Sequence, residues 1–247
     1  QQIGVEIDAL ARRRAGDRGH RLAEVVAVPE LPRITERGVA HLAEALGTFA
    51  LVFCGTGAIA LDEVSEGSLG VTGIALVFGA IVLLMVLAFA PISGAHLNPA
   101  ITIALAADSK ARWRSVAPYV ASQLAGALCA SLLVRYLFPT SSTLGATLPS
   151  GAPLLSFALE VLLTFLLMLV IFGVSKSGRT LSAMLIGITV GLEAYLAGPI
   201  SGASMNPARS MAPALISGRL EHLWIFVLAP TLGALLAVQL RRSIQRG

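Results

Sequence analysis

One eight-residue segment occurs twice in this 247-residue chain. Ser93-Gly94-Ala95-His96-Leu97-Asn98-Pro99-Ala100 returns as Ser201-Gly202-Ala203-Ser204-Met205-Asn206-Pro207-Ala208. Each copy opens a short apolar stretch, 99–107 and 207–217, about half the ~20 residues a helix needs to cross a bilayer. A second correspondence lies upstream: Glu44 with Thr48-Phe49 matches Glu160 with Thr164-Phe165. Six longer apolar runs surround these stretches, at roughly 40–61, 69–91, 115–138, 153–174, 181–199 and 221–240. Each half therefore holds three full-length spans and one half-length stretch. Three is odd, so the second half must traverse the membrane in the opposite sense, as an inverted repeat.

Composition agrees. The chain is 55% hydrophobic and only 13% charged, where a soluble domain carries about 25% charged residues, and its mean hydropathy is +0.80. That excludes a soluble enzyme, a nucleic-acid binder and a disordered protein. An outer-membrane barrel would alternate apolar and polar residues in short strands; these runs are long and unbroken. The expected fold class is thus an all-α membrane protein of six transmembrane helices plus two re-entrant half-helices. Residues 1–38 form a polar arm and 39–247 the membrane domain, with repeat one at about 40–138 and repeat two at about 153–240. The net charge of +4 fits a membrane surface. With both termini cytoplasmic, fifteen of the 18 basic residues fall inside, among them Arg12, Arg13, Arg14, Arg18, Arg21 and Arg33 of the arm, and only Arg135 and Arg219 outside. That asymmetry is what the positive-inside rule requires. The arm reads as a solvated tail drawn to anionic lipid. Cys54 and Cys129 lie in apolar runs and read as small buried side chains rather than a disulfide framework. Nothing in the chain pairs a nucleophile with a base, clusters metal ligands or builds a phosphate loop, so neither enzymatic activity nor a cofactor is expected.

Proline at the first helical position loses no hydrogen bond, and Asn before it is a favoured N-cap. Each Asn-Pro-Ala thus starts a helix, and ten residues give about 15 Å. Two such half-helices end to end cover the ~30 Å hydrocarbon core, with their N-termini meeting at the midplane. Non-helical backbone at that depth survives only when buried in protein or lining a cavity. A single Asn-Pro-Ala would be an ordinary capped helix start; two inside an eight-residue repeat leave that reading little room.

These residues resemble the aquaporin (major intrinsic protein) family over about 40–240. The resemblance rests on the double Asn-Pro-Ala (Asn98, Pro99, Ala100; Asn206, Pro207, Ala208), on Arg209 directly after the second copy and on the paired Glu44 and Glu160. It implies one narrow pore per subunit and assembly as a homotetramer in the cell membrane, with water, small neutral solutes and lipid as partners. It also implies that Asn98 and Asn206 aim amide donors into the pore, and that Glu44 and Glu160 brace the re-entrant loops by accepting backbone hydrogen bonds. The half-helix N-termini add about half a positive charge each. A cation ~4 Å from that pair then meets roughly 4 kcal/mol at an effective dielectric constant near 20. Neutral solutes avoid this barrier. Glu193 stands as a further candidate brace for the second loop, and His96 as a loop-packing residue rather than a pH gate.

By family spacing the outer filter comprises Phe78, Ala194, Ala203 and Arg209. A one-turn slip in span five would put Thr189, Val190 or Gly191 in place of Ala194. Strict water channels carry a His at that position; Ala removes a donor and widens the constriction. Small residues there, with Ala-Gly-Pro-Ile-Ser-Gly-Ala-Ser-Met before the second motif, resemble plant nodulin-like intrinsic proteins and their bacterial relatives, which pass water, glycerol and uncharged metalloid acids. The expected function is a passive channel for water and small uncharged solutes. A strict water channel, a secondary transporter and a non-conducting structural protein stand as alternatives.

Overall fold

The structure, a computed structural model, describes residues 36–246. The arginine-rich arm read above, including Arg12 to Arg33, lies outside the described residues. Eight helices follow in order: α1 (Glu36–Val64), α2 (Gly70–Ser93), α3 (Pro99–Ala107), α4 (Trp113–Leu137), α5 (Pro153–Val174), α6 (Arg179–Ser201), α7 (Pro207–Ser217) and α8 (Leu223–Arg246). All but α3 and α7 are long and apolar enough to cross a membrane, and no strand occurs among the described residues. Both half-helices begin and end where the sequence places them. The largest boundary difference is at the C-terminus, where α8 runs six residues past the expected end at 240. Its last turns are held by contacts: Arg241 pairs with Asp108 and Arg242 donates to the Ala107 carbonyl.

The packing repeats the sequence duplication. Helix α1 packs on α2 and α4, and α5 packs on α6 and α8 in the same pattern; α2 and α6 cross at the centre. The half-helices α3 and α7 both lie against α4 and α8. Large apolar side chains such as Leu76, Leu132, Leu162 and Leu196 are exposed, so the bundle turns its hydrocarbon outward. Cys129 is exposed as well and Cys54 partly so. The expectation that both are buried is corrected for Cys129, because it falls on an outward face of α4 whose inward face is taken by Gly126, Ala127 and Ala130.

The crossings are as close as backbones allow. A Cβ on Gly126 of α4 would meet the Ala45 carbonyl oxygen of α1 at 2.0 Å, and one on Gly233 of α8 would meet the Val161 oxygen of α5 at 2.2 Å. These are equivalent sites, since Ala45 follows Glu44 and Val161 follows Glu160. At the α2–α6 crossing Gly79 and Gly187 face one another, and a Cβ on either would lie within 2.9 Å of the other's carbonyl oxygen. Small residues at such seams let packing and dispersion replace the hydrophobic drive that lipid removes.

These contacts yield a prediction. Gly126→Leu and Gly233→Leu must push α4 from α1 and α8 from α5, since a rigid carbonyl occupies the space; overpacking alone costs about 1–3 kcal/mol. Both variants should lose most of their monodisperse peak in detergent chromatography. Gly173→Ala, with nothing within 4 Å of the new Cβ, should match the parent. Equal yields for all three would contradict the close crossings.

Candidate functional site

The turns before the half-helices do what no regular helix can do at this depth. Helix α2 ends at Gly94 with φ +88°, and α6 ends at Gly202 with φ +87°. Each is followed by two non-glycine residues at positive φ, Ala95 and Leu97 in one loop and Ala203 and Met205 in the other. Left-handed backbone of this kind is strained and needs surrounding contacts to hold it. Two buried carboxylates supply them. Glu44 accepts from Ser93 Oγ at 2.7 Å, His96 N at 2.9 Å and Leu97 N at 2.7 Å. Glu160 accepts from Ser201 Oγ at 2.7 Å, Ser204 N at 2.8 Å and Met205 N at 2.8 Å. The two sets correspond atom for atom, and both glutamates are fully buried. The repeated Ser is part of the brace: its Oγ bonds the carboxylate and also accepts from Ala95 N or Ala203 N.

Held in this way, the loops bring the half-helix tips together. The Asn98 side chain caps α3 by accepting from Ala100 N at 2.9 Å, and Asn206 caps α7 by accepting from Ala208 N at 3.0 Å. With each Oδ1 used as a cap, each Nδ2 faces the other half. Asn98 Nδ2 donates to the Met205 carbonyl at 2.7 Å, and Asn206 Nδ2 donates to the Leu97 carbonyl at 2.8 Å. A carboxamide nitrogen has two hydrogens. One on each Asn is committed to this crossed pair, which leaves one on each for the donation into the pore that the resemblance implies.

One cavity of about 110 Å³ for water-molecule centres runs past these tips. Since one water needs about 10–15 Å³ on that measure, it has room for a short file of waters. Phe78, Ala194, Ala203 and Arg209 all line it, together with Asn98 and Asn206. The alternatives for Ala194 fall differently. Val190 lines the cavity one turn away, Gly191 faces α2 at the crossing, and half-buried Thr189 turns its hydroxyl back to the Leu185 carbonyl. The positions that match the four filter candidates in the other half also line the cavity: Ile186, Val86, Ala95 and Ile101. All four are apolar, so only the Arg209 end carries charge.

Arg209 is 1% exposed. Its Nη1 donates to the Gly145 carbonyl at 2.7 Å, its guanidinium stands 5.1 Å from the Phe78 ring centroid, and its Nε has no partner within the protein. Sequence reasoning missed what fixes this arrangement. Gly145 lies in the 138–152 connection at φ +71°, where a Cβ would strike Thr56 at 2.7 Å. The connection is tied down by Glu63, which accepts from Ser141 Oγ, Ser142 N, Ser142 Oγ and Thr143 Oγ1 at 2.7–3.0 Å. Gly55 makes room for the Phe78 ring, which would lie 2.2 Å from a Cβ there. Gln123, a lone amide inside an apolar run, was detectable: its Nε2 donates to Glu44 Oε2 at 2.7 Å and Thr102 Oγ1 at 3.0 Å.

Two further residues are placed. Glu193 is buried with no hydrogen-bond partner on either carboxylate oxygen, so the expectation that it braces the second loop is corrected. Glu160 already takes both loop amides. His96 packs as expected, its Nδ1 3.2 Å from Thr102 Oγ1 and its ring 5.1 Å from that of Tyr119.

The model of the family described as major intrinsic protein matches residues 34–240. The chain is 41% identical over 216 residues to aquaporin NIP1-1 of Zea mays, a match covering 86% of this chain and 74% of that protein. It is 39% identical over 198 residues to putative aquaporin NIP4-1 of Arabidopsis thaliana, covering 78% and 70%. The X-ray structure of the aquaglyceroporin from Plasmodium falciparum shares the fold, with a TM-score of 0.78 at 24% identity over 85% of this chain and 97% of that one.

The paired carboxylates give the second prediction. Glu160→Gln keeps the shape but turns an NH2 toward backbone donors, and each buried donor left unsatisfied costs about 1–3 kcal/mol. Thermal unfolding in detergent should show a clearly lower Tm. Glu44→Gln should fall at least as far, because Gln123 loses its acceptor too. An unchanged Tm for both would refute the brace.

Proposed function

The chain belongs to the major intrinsic protein family, and on that premise we propose that it carries water and small uncharged solutes such as glycerol passively across a cell membrane. Membership makes it a transmembrane channel protein and not an enzyme. The proposal extends to uncharged metalloid acids, to a homotetrameric assembly and to cytoplasmic termini.

The observation that carries it is the single cavity that passes both Asn tips and all four filter candidates. Each residue takes a role from its geometry. Asn98 and Asn206 offer their remaining N–H groups to one oxygen at the centre, which orients that molecule and interrupts a proton-conducting file. The two half-helix N-termini there repel cations. Arg209 brings its guanidinium to the cavity lining and adds a fixed positive charge, while Phe78, Ala194 and Ala203 supply apolar wall. A passing solute must replace its water contacts with these few donors, which hydroxyl-rich neutral molecules do and ions do not. The small Ala194 favours the broad reading over a strict water channel. A secondary transporter would need a coupling carboxylate along the path; Glu44 and Glu160 are consumed by the loops, and Glu193 is not among the cavity-lining residues.

The test is uptake by proteoliposomes. Ala194→His narrows the filter and adds a donor. It should keep water flux within about twofold while glycerol and arsenous acid uptake fall by about tenfold or more, as pore width dictates. Undiminished solute uptake in the variant would remove Ala194 from the filter. Saturable, proton-driven counterflow in the parent would favour a transporter.

A further inference from the structure

The inner tips of α3 and α7 are held by the crossed amides and the glutamates, but a helix also leaves its last carbonyls without intrahelical partners. In both half-helices an arginine from the end of a neighbouring span takes one of them. Arg135, in the last turn of α4, donates from Nη2 to the Ile216 carbonyl at 3.0 Å, at the far end of α7. Arg242, in the last turns of α8, donates from Nη2 to the Ala107 carbonyl, at the far end of α3. The two are repeat equivalents: each stands nine residues after the glycine, Gly126 or Gly233, that seats its span against a backbone carbonyl. Both are half-buried. Charge topology does not account for Arg135, which is one of two basic residues on the side away from the basic surface. Nor does the Asn-Pro-Ala repeat, which ends far from either arginine.

We propose that Arg135 and Arg242 are a matched pair of positioning residues that fix each half-helix along its axis and so hold Asn98 and Asn206 at the distance that excludes ions. The guanidinium suits this task. A cation at a helix C-terminus opposes the negative end of its dipole, and a charge-assisted bond is stronger than a neutral one. Each span is itself seated against a neighbouring backbone at its glycine crossing. The arginine therefore ties the half-helix to a fixed post. The α3 end has a second tie, the Arg241–Asp108 pair, where Asp108 caps α3. The α7 end has Arg135 alone among the described residues.

The functional half of this inference rests on the channel reading; the structural half does not, and the test separates them. Arg135→Gln, Arg135→Lys and Arg242→Gln are compared with the parent by hydrogen exchange in detergent and by proton and K⁺ leak in proteoliposomes. Arg135→Gln should speed amide exchange in 207–217 by roughly tenfold, the change expected for one lost charge-assisted bond, while 36–64 and 153–174 stay protected. Proton or K⁺ leak per channel should rise with water flux kept. Arg135→Lys should restore most of both, and Arg242→Gln, the milder variant, should show a smaller change confined to 99–107. Exchange that rises evenly across all helices, or stays at the parent's level in 207–217, would overturn the pair. Local exchange without leak would overturn only its role in exclusion. A parent without water flux would count against the channel reading and leave the exchange result to judge the clamp.

Discussion

Two carboxylates buried in the bilayer make the rest of this molecule permissible. A channel of this kind needs irregular backbone at the midplane, where no bulk water meets its amides. Glu44 and Glu160 each meet two such amides and a serine hydroxyl. Burying a bare carboxylate would be prohibitive; here each charge is surrounded by the donors that would otherwise be orphaned. Two costly groups thus solve one another's problem, and the left-handed residues Ala95, Leu97, Ala203 and Met205 are held in place as a consequence. The crossed Asn98 and Asn206 bonds follow from that placement, because Leu97 and Met205 carbonyls can be reached only when both loops are fully folded.

The duplication supplies the frame, and its departures supply direction. Glycine crossings, serine hydroxyls, carboxylates and Asn caps recur in both halves. The cavity lining is asymmetric where the halves differ. Arg209 has Ile101 as its counterpart, and Phe78 has Ile186, so one end of the cavity is cationic and aromatic while the other is aliphatic. The loop systems differ too. Gln123 tightens Glu44 in the first half, whereas Pro230 occupies the matching place in the second. There a hydroxyl chain from Ser204 through Ser210 to Thr147 binds the loop to the 138–152 connection instead. That connection also delivers the Gly145 carbonyl to Arg209.

Most of the fold was legible in the sequence, for physical reasons. Membrane helices announce themselves by length, since 20 apolar residues have few other uses. Asn-Pro marks a helix start by local stereochemistry alone, so α3 and α7 were bounded correctly. Glu44 and Glu160 stood out because charge within an apolar run demands a partner. The same logic failed for Glu193, whose carboxylate has no such partner, and it overlooked Gln123, which is neutral and raised no alarm. Gly145, Glu63 and Gly55 could not be found in this way. Their importance lies in which distant segment each meets, and neither periodicity nor motif encodes a carbonyl presented across 64 residues to Arg209. Cys129 was misassigned because an apolar run does not say which of its faces meets lipid.

The central claim is that two half-helices touch tip to tip around an open path and present one free amide hydrogen each to the molecule between them. A high-resolution density map of the protein in a lipid nanodisc tests it most directly. The account predicts a single file of ordered waters, with one about 3 Å from both Asn98 Nδ2 and Asn206 Nδ2 and others along the lining that ends at Arg209. Tips drawn apart, or side-chain density closing the gap between them, would contradict it.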